Sequence, residues 1–136
     1  MYLCGNGGSA ANAIHIANDW IACGIRAYPL TADIATLTAI ANDYGYTHVF
    51  GRQLDVLGEP GDLLVVLSGS GNSPNILQAI STAHTKGMQT WAIAGGGKAL
   101  ELADHVLRTP TNMQKSEEDQ LRIGHDVMCR LKHLHG

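Results

Sequence analysis

Leu63 to Ile80 reads "LLVVLSGSGNSPNILQAI", and its character changes twice within a few residues. Leu63 to Leu67 is an uninterrupted apolar run of strand length, the pattern of a strand buried on both faces of a parallel sheet. Ser68, Gly69, Ser70, Gly71, Asn72 and Ser73 follow at once, and Pro74 stands where a first helical residue belongs. The glycines let the backbone approach a ligand closely, the serines supply hydroxyls, and the helix start adds free N–H groups with a positive partial charge. That combination suits a phosphate monoester. It also suits a plain tight turn in which the Ser73 hydroxyl caps the helix by accepting from a first-turn amide.

A second turn of the same design lies at "CGNGGSA", Cys4 to Ala10, with Asn6, Gly7, Gly8 and Ser9 leading into a small-residue helix. In an open α/β sheet the ligand sits beyond the carboxyl ends of the strands, where neighbouring loops diverge. Two such loops flanking one crevice point to a phosphorylated small molecule. Neither has the G-x-G-x-x-G spacing, and no acidic residue ends a following strand at the expected distance, so a dinucleotide is not indicated.

Outward from these turns, strand-sized apolar runs alternate with helical patterns. The reading places strands at Tyr2 to Cys4, Arg26 to Ala32, Asp62 to Ser68, Gln89 to Gly95 and His105 to Pro110. Helices are expected from Ala10 to Cys23, Ile34 to Gly45, His48 to Gly58, Pro74 to Gly87, Lys98 to Ala103 and Ser116 to His135. The predicted fold is a doubly wound αβα sandwich around a parallel sheet of about five strands. All 136 residues fit one domain. The first strand, leading straight into a glycine turn, is expected to be central, with one sheet face short of cover.

Hydrophobic residues make up 45% and charged ones 15% of the chain, a globular composition. No apolar run approaches the roughly 20 residues that span a membrane, and no signal-peptide pattern opens the sequence. Cys4, Cys23 and Cys129 are odd in number and far apart, as for reduced thiols in the cytoplasm. The net charge of −3 with scattered Lys and Arg lacks the footprint of a direct nucleic-acid binder.

His15 and Asp19 stand at i, i+4 and share a helix face. The spacing allows two side chains to grip one metal ion, or a carboxylate to orient an imidazole, or a simple surface hydrogen bond. In the run "SEED", Ser116 to Asp119, the acidic residues complement the positive end of a helix.

Taken together, "CGNGGSAANAIHIAND", "NDYGYTHVFGRQLDVLGEPGDLLVVLSGSGNSPNILQAI", "KGMQTWAIAGGGKALELADHVLRTP" and "IGHDVM" resemble the SIS sugar-phosphate isomerase domain. Within it they are similar to the phosphoheptose isomerases and the related DnaA-initiator-associating proteins. The resemblance implies a flavodoxin-like sandwich that forms a dimer or tetramer, with sites at subunit boundaries. It implies a sugar phosphate held by Ser68, Ser70 and Ser73, with Gly69 standing where the family has a threonine, and a further contact from Lys98. It implies that Asp19, one methylene shorter than the family's glutamate, and His125 transfer protons, and that His15, Asp19, Glu117 and His125 could hold zinc. A straight helix would separate Glu117 from His125 by about 12 Å, so Glu117 meets the same ion only from an unwound turn, whereas Glu118 faces the His125 side more naturally. The family's helical segment before the first strand is not matched by this sequence. The activity implied is isomerisation of a phosphorylated sugar, sedoheptulose 7-phosphate in the enzymatic branch. The alternative is a regulatory phosphosugar-binding protein that contacts a partner such as the replication initiator.

Overall fold

The computed structural model describes residues 1–135. Five strands, β1 (Tyr2–Gly5), β2 (Tyr28–Pro29), β3 (Leu63–Ser68), β4 (Gln89–Ala94) and β5 (His105–Arg108), form one sheet in the order β2-β1-β3-β4-β5. Every pairing is parallel. Strand order reverses between β1 and β3, which is the switch point where an open α/β sheet parts its loops.

The apolar runs are two-faced, because successive side chains of a strand point to opposite sides. Cys4, Leu64, Val66 and Ala92 pack with Phe50, Leu54, Ile76 and Ile80. Leu3, Val65, Leu67 and Ile93 pack with Ala13, Ile16, Ala17 and Trp20. The first layer is carried by α3 (Gly51–Leu57) and α4 (Pro74–Thr85), with α2 (Ile34–Tyr44) and the short α5 (Ala99–Leu102) at its margins. The second layer is α1 (Gly8–Ile21) together with α6 (Met113–His135). The expectation that one sheet face lacks cover is therefore corrected: α6 returns to that face, and Ala13, Ile16 and Ala17 are spent on the chain's own core. Ala11 and Ile14 of the same helix stay exposed.

Several boundaries differ from the sequence reading, each for a local reason. The strand expected at Arg26 to Ala32 shrinks to Tyr28–Pro29, because it is an edge strand and Pro29 has no N–H to donate. The helix expected from His48 splits into a 3₁₀ turn, Tyr46–His48, and α3. α1 begins at Gly8 rather than Ala10, since the amides of Ser9 and Ala10 already donate to the carbonyls of Asn6 and Gly7. α6 begins three residues early because Asn112 caps it: its Oδ1 accepts from Lys115 N at 3.1 Å. Ser73 does occupy the position before α4, but its hydroxyl makes no capping hydrogen bond. That leaves the hydroxyl open toward the cleft described next.

Candidate active site

Both glycine turns open at the same end of the sheet, since β1 and β3 are parallel neighbours with Gly5 opposite Leu67. Between them lies a small cavity of about 60 Å³ lined by Asn6, Ser9, Leu67, Ser68, Gly69, Ser70, Ser73 and Met113. The serine-bearing loop is braced by close backbone contacts. A β-carbon on Gly71 would fall 1.7 Å from the carbonyl oxygen of Gly96, and one on Gly97 would fall 2.3 Å from that of Ser70. Gly71 and Gly97 also have positive φ, so these two positions require glycine twice over. The Ser68 hydroxyl accepts from Gly71 N at 3.0 Å and the Ser70 hydroxyl from Asn72 N at 3.2 Å, which holds the turn in shape without using the hydroxyl protons.

Other predicted contacts are placed less directly. Asn72 Oδ1 accepts from the backbone N–H of Lys98 at 3.0 Å, while the Lys98 side chain is exposed and does not line the cavity. Asn6 exchanges amide hydrogen bonds with Asn75 on α4, both 2.8 Å, and accepts from the Tyr46 hydroxyl at 2.8 Å. Asn6 thereby ties the first loop to the second. Ser9 is buried and accepts from Gln120 on α6, and Gly7 and Gly8 are exposed at the mouth. Asn75, Tyr46 and Gln120 were not foreseen; only the three-dimensional pairing marks them, because lone Asn, Tyr and Gln residues carry no spacing signal.

The second half of the site lies where α1 meets α6. Asn12 Nδ2 donates to Gln120 Oε1 and to the Glu117 carbonyl, and Trp20 Nε1 donates to the Gly124 carbonyl. A β-carbon on Gly124 would stand 2.6 Å from Ile16 Cγ1, so the helices approach closely there. That approach delivers His125 to His15 and Asp19. The two Nε2 atoms are 3.3 Å apart, and each is 3.3 Å from Asp19 Oδ2. The one-methylene deficit expected for Asp19 does not leave its carboxylate short. Oδ2 is buried and makes no hydrogen bond, although the two imidazoles are roughly half exposed.

This triangle fits a metal ion. In a tetrahedral zinc site with bonds of about 2.0–2.1 Å, neighbouring donor atoms stand about 3.3 Å apart. Two imidazole nitrogens and an orphaned carboxylate oxygen at that separation match one face of such a tetrahedron. Glu117 is not in the cluster. α6 is regular through this position, so no unwound turn carries it toward His125. Its carboxylate instead lies against the start of α1, where a β-carbon on Gly8 would come within 2.4 Å of it. A carboxylate is favoured at that end of a helix. Glu118 is exposed and faces Gln114 on its own helix.

A larger concavity, about 570 Å³, opens at the opposite end of the sheet between Tyr2, Arg26, Tyr28 and Asp62. It contains none of the predicted site residues.

A flavodoxin-like sheet with a serine- and glycine-lined cleft at its switch point is the architecture of a SIS domain, and the SIS domain family matches residues 1–95. The chain belongs to that family, and within it to the phosphoheptose isomerases. It is 42% identical to the phosphoheptose isomerase of Rhodospirillum rubrum over 96% of this chain and 74% of that protein. The solved phosphoheptose isomerase of Francisella tularensis superposes with a TM-score of 0.90 at 34% identity, covering 98% of this chain and 74% of that one. That of Neisseria gonorrhoeae gives 0.90 at 36%, covering 97% and 76%.

Proposed function

We propose that this chain is an aldose–ketose isomerase of phosphorylated sugars, acting on sedoheptulose 7-phosphate. The observation that carries the reading is the coexistence in one domain of a serine- and glycine-lined cleft and a separate His15–Asp19–His125 triangle, the triangle borne partly by α1, the helix that starts from the first glycine turn. One group of residues holds the phosphate and the other works on the carbons at the far end of the sugar. Ser68, Ser70 and Ser73, with the amides of Gly69 and the first turn of α4, bind the phosphate, helped by the helix dipole. Asn6, Gly7, Gly8 and Ser9 line the path between the two groups, and Asn72 and Lys98 brace it.

Isomerisation moves a hydrogen between adjacent carbons while a carbonyl and a hydroxyl exchange places. Asp19 accepts the proton from carbon 1 through the oxygen outside the triangle while the oxygen on carbon 2 takes up a proton, giving an enediol; His125 then delivers a proton to carbon 2 through its remaining ring nitrogen as the hydroxyl on carbon 1 loses its proton and becomes the aldehyde. His15 and Asp19 Oδ2, with His125 Nε2, would hold zinc, whose chemistry there is to polarise the sugar's carbonyl and hydroxyl oxygens. Glu117 complements the start of α1, where its carboxylate lies against Gly8. Assembly as a dimer or tetramer in the cytoplasm completes the proposal; the exposed Ala11 and Ile14 beside His15 support a helix-to-helix contact there.

The experiment is turnover of sedoheptulose 7-phosphate by purified protein supplied with zinc. Appearance of the aldoheptose phosphate is expected. Binding of the sugar phosphate without turnover, in a folded protein, would instead favour a regulatory phosphosugar-binding protein.

A further inference from the structure

Gly69 is not required by its own backbone. It lies outside the left-handed region that Gly71 and Gly97 occupy, so any L residue could adopt its conformation. What a side chain there would meet is Met113. An ideal β-carbon on Gly69 falls 2.3 Å from Met113 Sδ and 2.8 Å from its Cε, and all three nearest atoms belong to that residue. Met113 is 51% exposed and yet lines the cavity beside Ser68, Ser70 and Ser73. Its root is fixed. Asn112 caps the helix beneath it, the Thr109 and Ser116 hydroxyls are hydrogen-bonded, and Pro110 and Thr111 lie directly on Gly95, where a β-carbon would meet them at 2.7 and 3.4 Å. Its end is an unbranched thioether that shifts at little cost.

We infer that Met113 is a specificity-determining residue of the phosphate loop: its thioether occupies the place of a side chain at position 69 and forms an apolar wall of the cleft beside Leu67. The inference rests on the loop being the phosphate site, as proposed above. Donors then engage the phosphate from the serine and backbone sides only, and the wall bounds the size of anion the loop accepts. Gly69 and Met113 form a coupled pair, in which a side chain at 69 drives the thioether into the cleft unless position 113 is shortened.

The test is a double-mutant cycle with sedoheptulose 7-phosphate, by calorimetric binding and by KM and kcat. Gly69→Ser is expected to weaken binding by about tenfold, as overpacking does, and Gly69→Ser with Met113→Ala to return to within about threefold of the Met113→Ala value. KM rises while kcat holds, because the pair contacts the phosphate and not the reacting carbons. A purely structural role would lower the melting temperature and leave KM where it was. Equal losses from Gly69→Ser with and without Met113, or no loss at all, overturn the inference while the phosphate-site reading stands. Failure of the unaltered protein to bind the sugar phosphate overturns both. Should Gly69→Ser not fold, a folded and binding double variant supports the coupling and an unfolded one contradicts it.

Discussion

The two halves of the site are held together in different ways. The loop from Ser68 to Ser73 is a backbone object: glycines at 71 and 97 interlock with neighbouring carbonyls, and two serine hydroxyls accept from amides within the turn. The His15–Asp19–His125 triangle is a packing object. It exists because α1 and α6, more than a hundred residues apart, touch closely at Gly124 and share the buried Asn12, Trp20 and Gln120. Local chain geometry preorganises the first and tertiary contact the second, so each can be damaged without the other.

His125→Ala separates the halves most sharply. Removing the group proposed to transfer a proton and to ligate zinc is expected to lower turnover by about 10²–10⁴-fold, while sedoheptulose 7-phosphate still binds, as calorimetry would report. Gly71→Ala attacks the other half. With a positive φ and a carbonyl oxygen 1.7 Å from the new β-carbon, it costs about 3 kcal/mol or more and abolishes sugar-phosphate binding, visible as a lost ligand-induced rise in melting temperature. If Gly71→Ala binds normally, the loop is not the rigid element described.

Gly124→Ala is subtler. The new methyl meets the buried, β-branched Ile16 at its Cγ1, so the helices part slightly at a cost of about 1–3 kcal/mol. Turnover is expected to fall by about tenfold, since small misplacements of reacting groups are costly, with phosphate binding unchanged. Unchanged turnover would show that helix proximity does not set the triangle.

The smallest effect lies away from both halves. Asp104 accepts from Thr90 N at 2.8 Å and stands 3.3 Å from His84. The Thr90 backbone N–H first, then the Thr90 hydroxyl and His84, hold its carboxyl below the ordinary value. A depressed carboxyl contributes stability above its unfolded value, about pH 4, and that contribution disappears as pH falls through the folded value. Asp104→Asn should therefore lose a little stability at neutral pH and flatten the acid limb of the melting curve, while leaving both halves of the site working.

How much was legible in the sequence follows the same division. The Ser68–Ser73 loop, a parallel sheet of about five strands and the inner position of the first one could be read because strand, turn and helix signals lie side by side along the chain, whereas the strand order β2-β1-β3-β4-β5 is a tertiary result. His15 and Asp19 could be paired from their four-residue spacing alone. Their meeting with His125 could not be derived from spacing and came from family resemblance. Glu117 shows why: nothing local says whether a carboxylate on α6 turns toward His125 or toward the start of α1, and the tertiary position of Gly8 decides it. Met113 was missed because a methionine at a helix start carries no signal until the empty space at Gly69 is seen.

Following the hydrogens tests the central claim most directly. Sedoheptulose 7-phosphate incubated with the zinc-supplied protein in deuterium oxide should yield an aldoheptose 7-phosphate carrying solvent deuterium at carbon 2, detected by proton NMR. The same incubation with His125→Ala should leave the ketose unexchanged. Recovery of unlabelled ketose from unaltered protein that demonstrably binds it would contradict the isomerase reading.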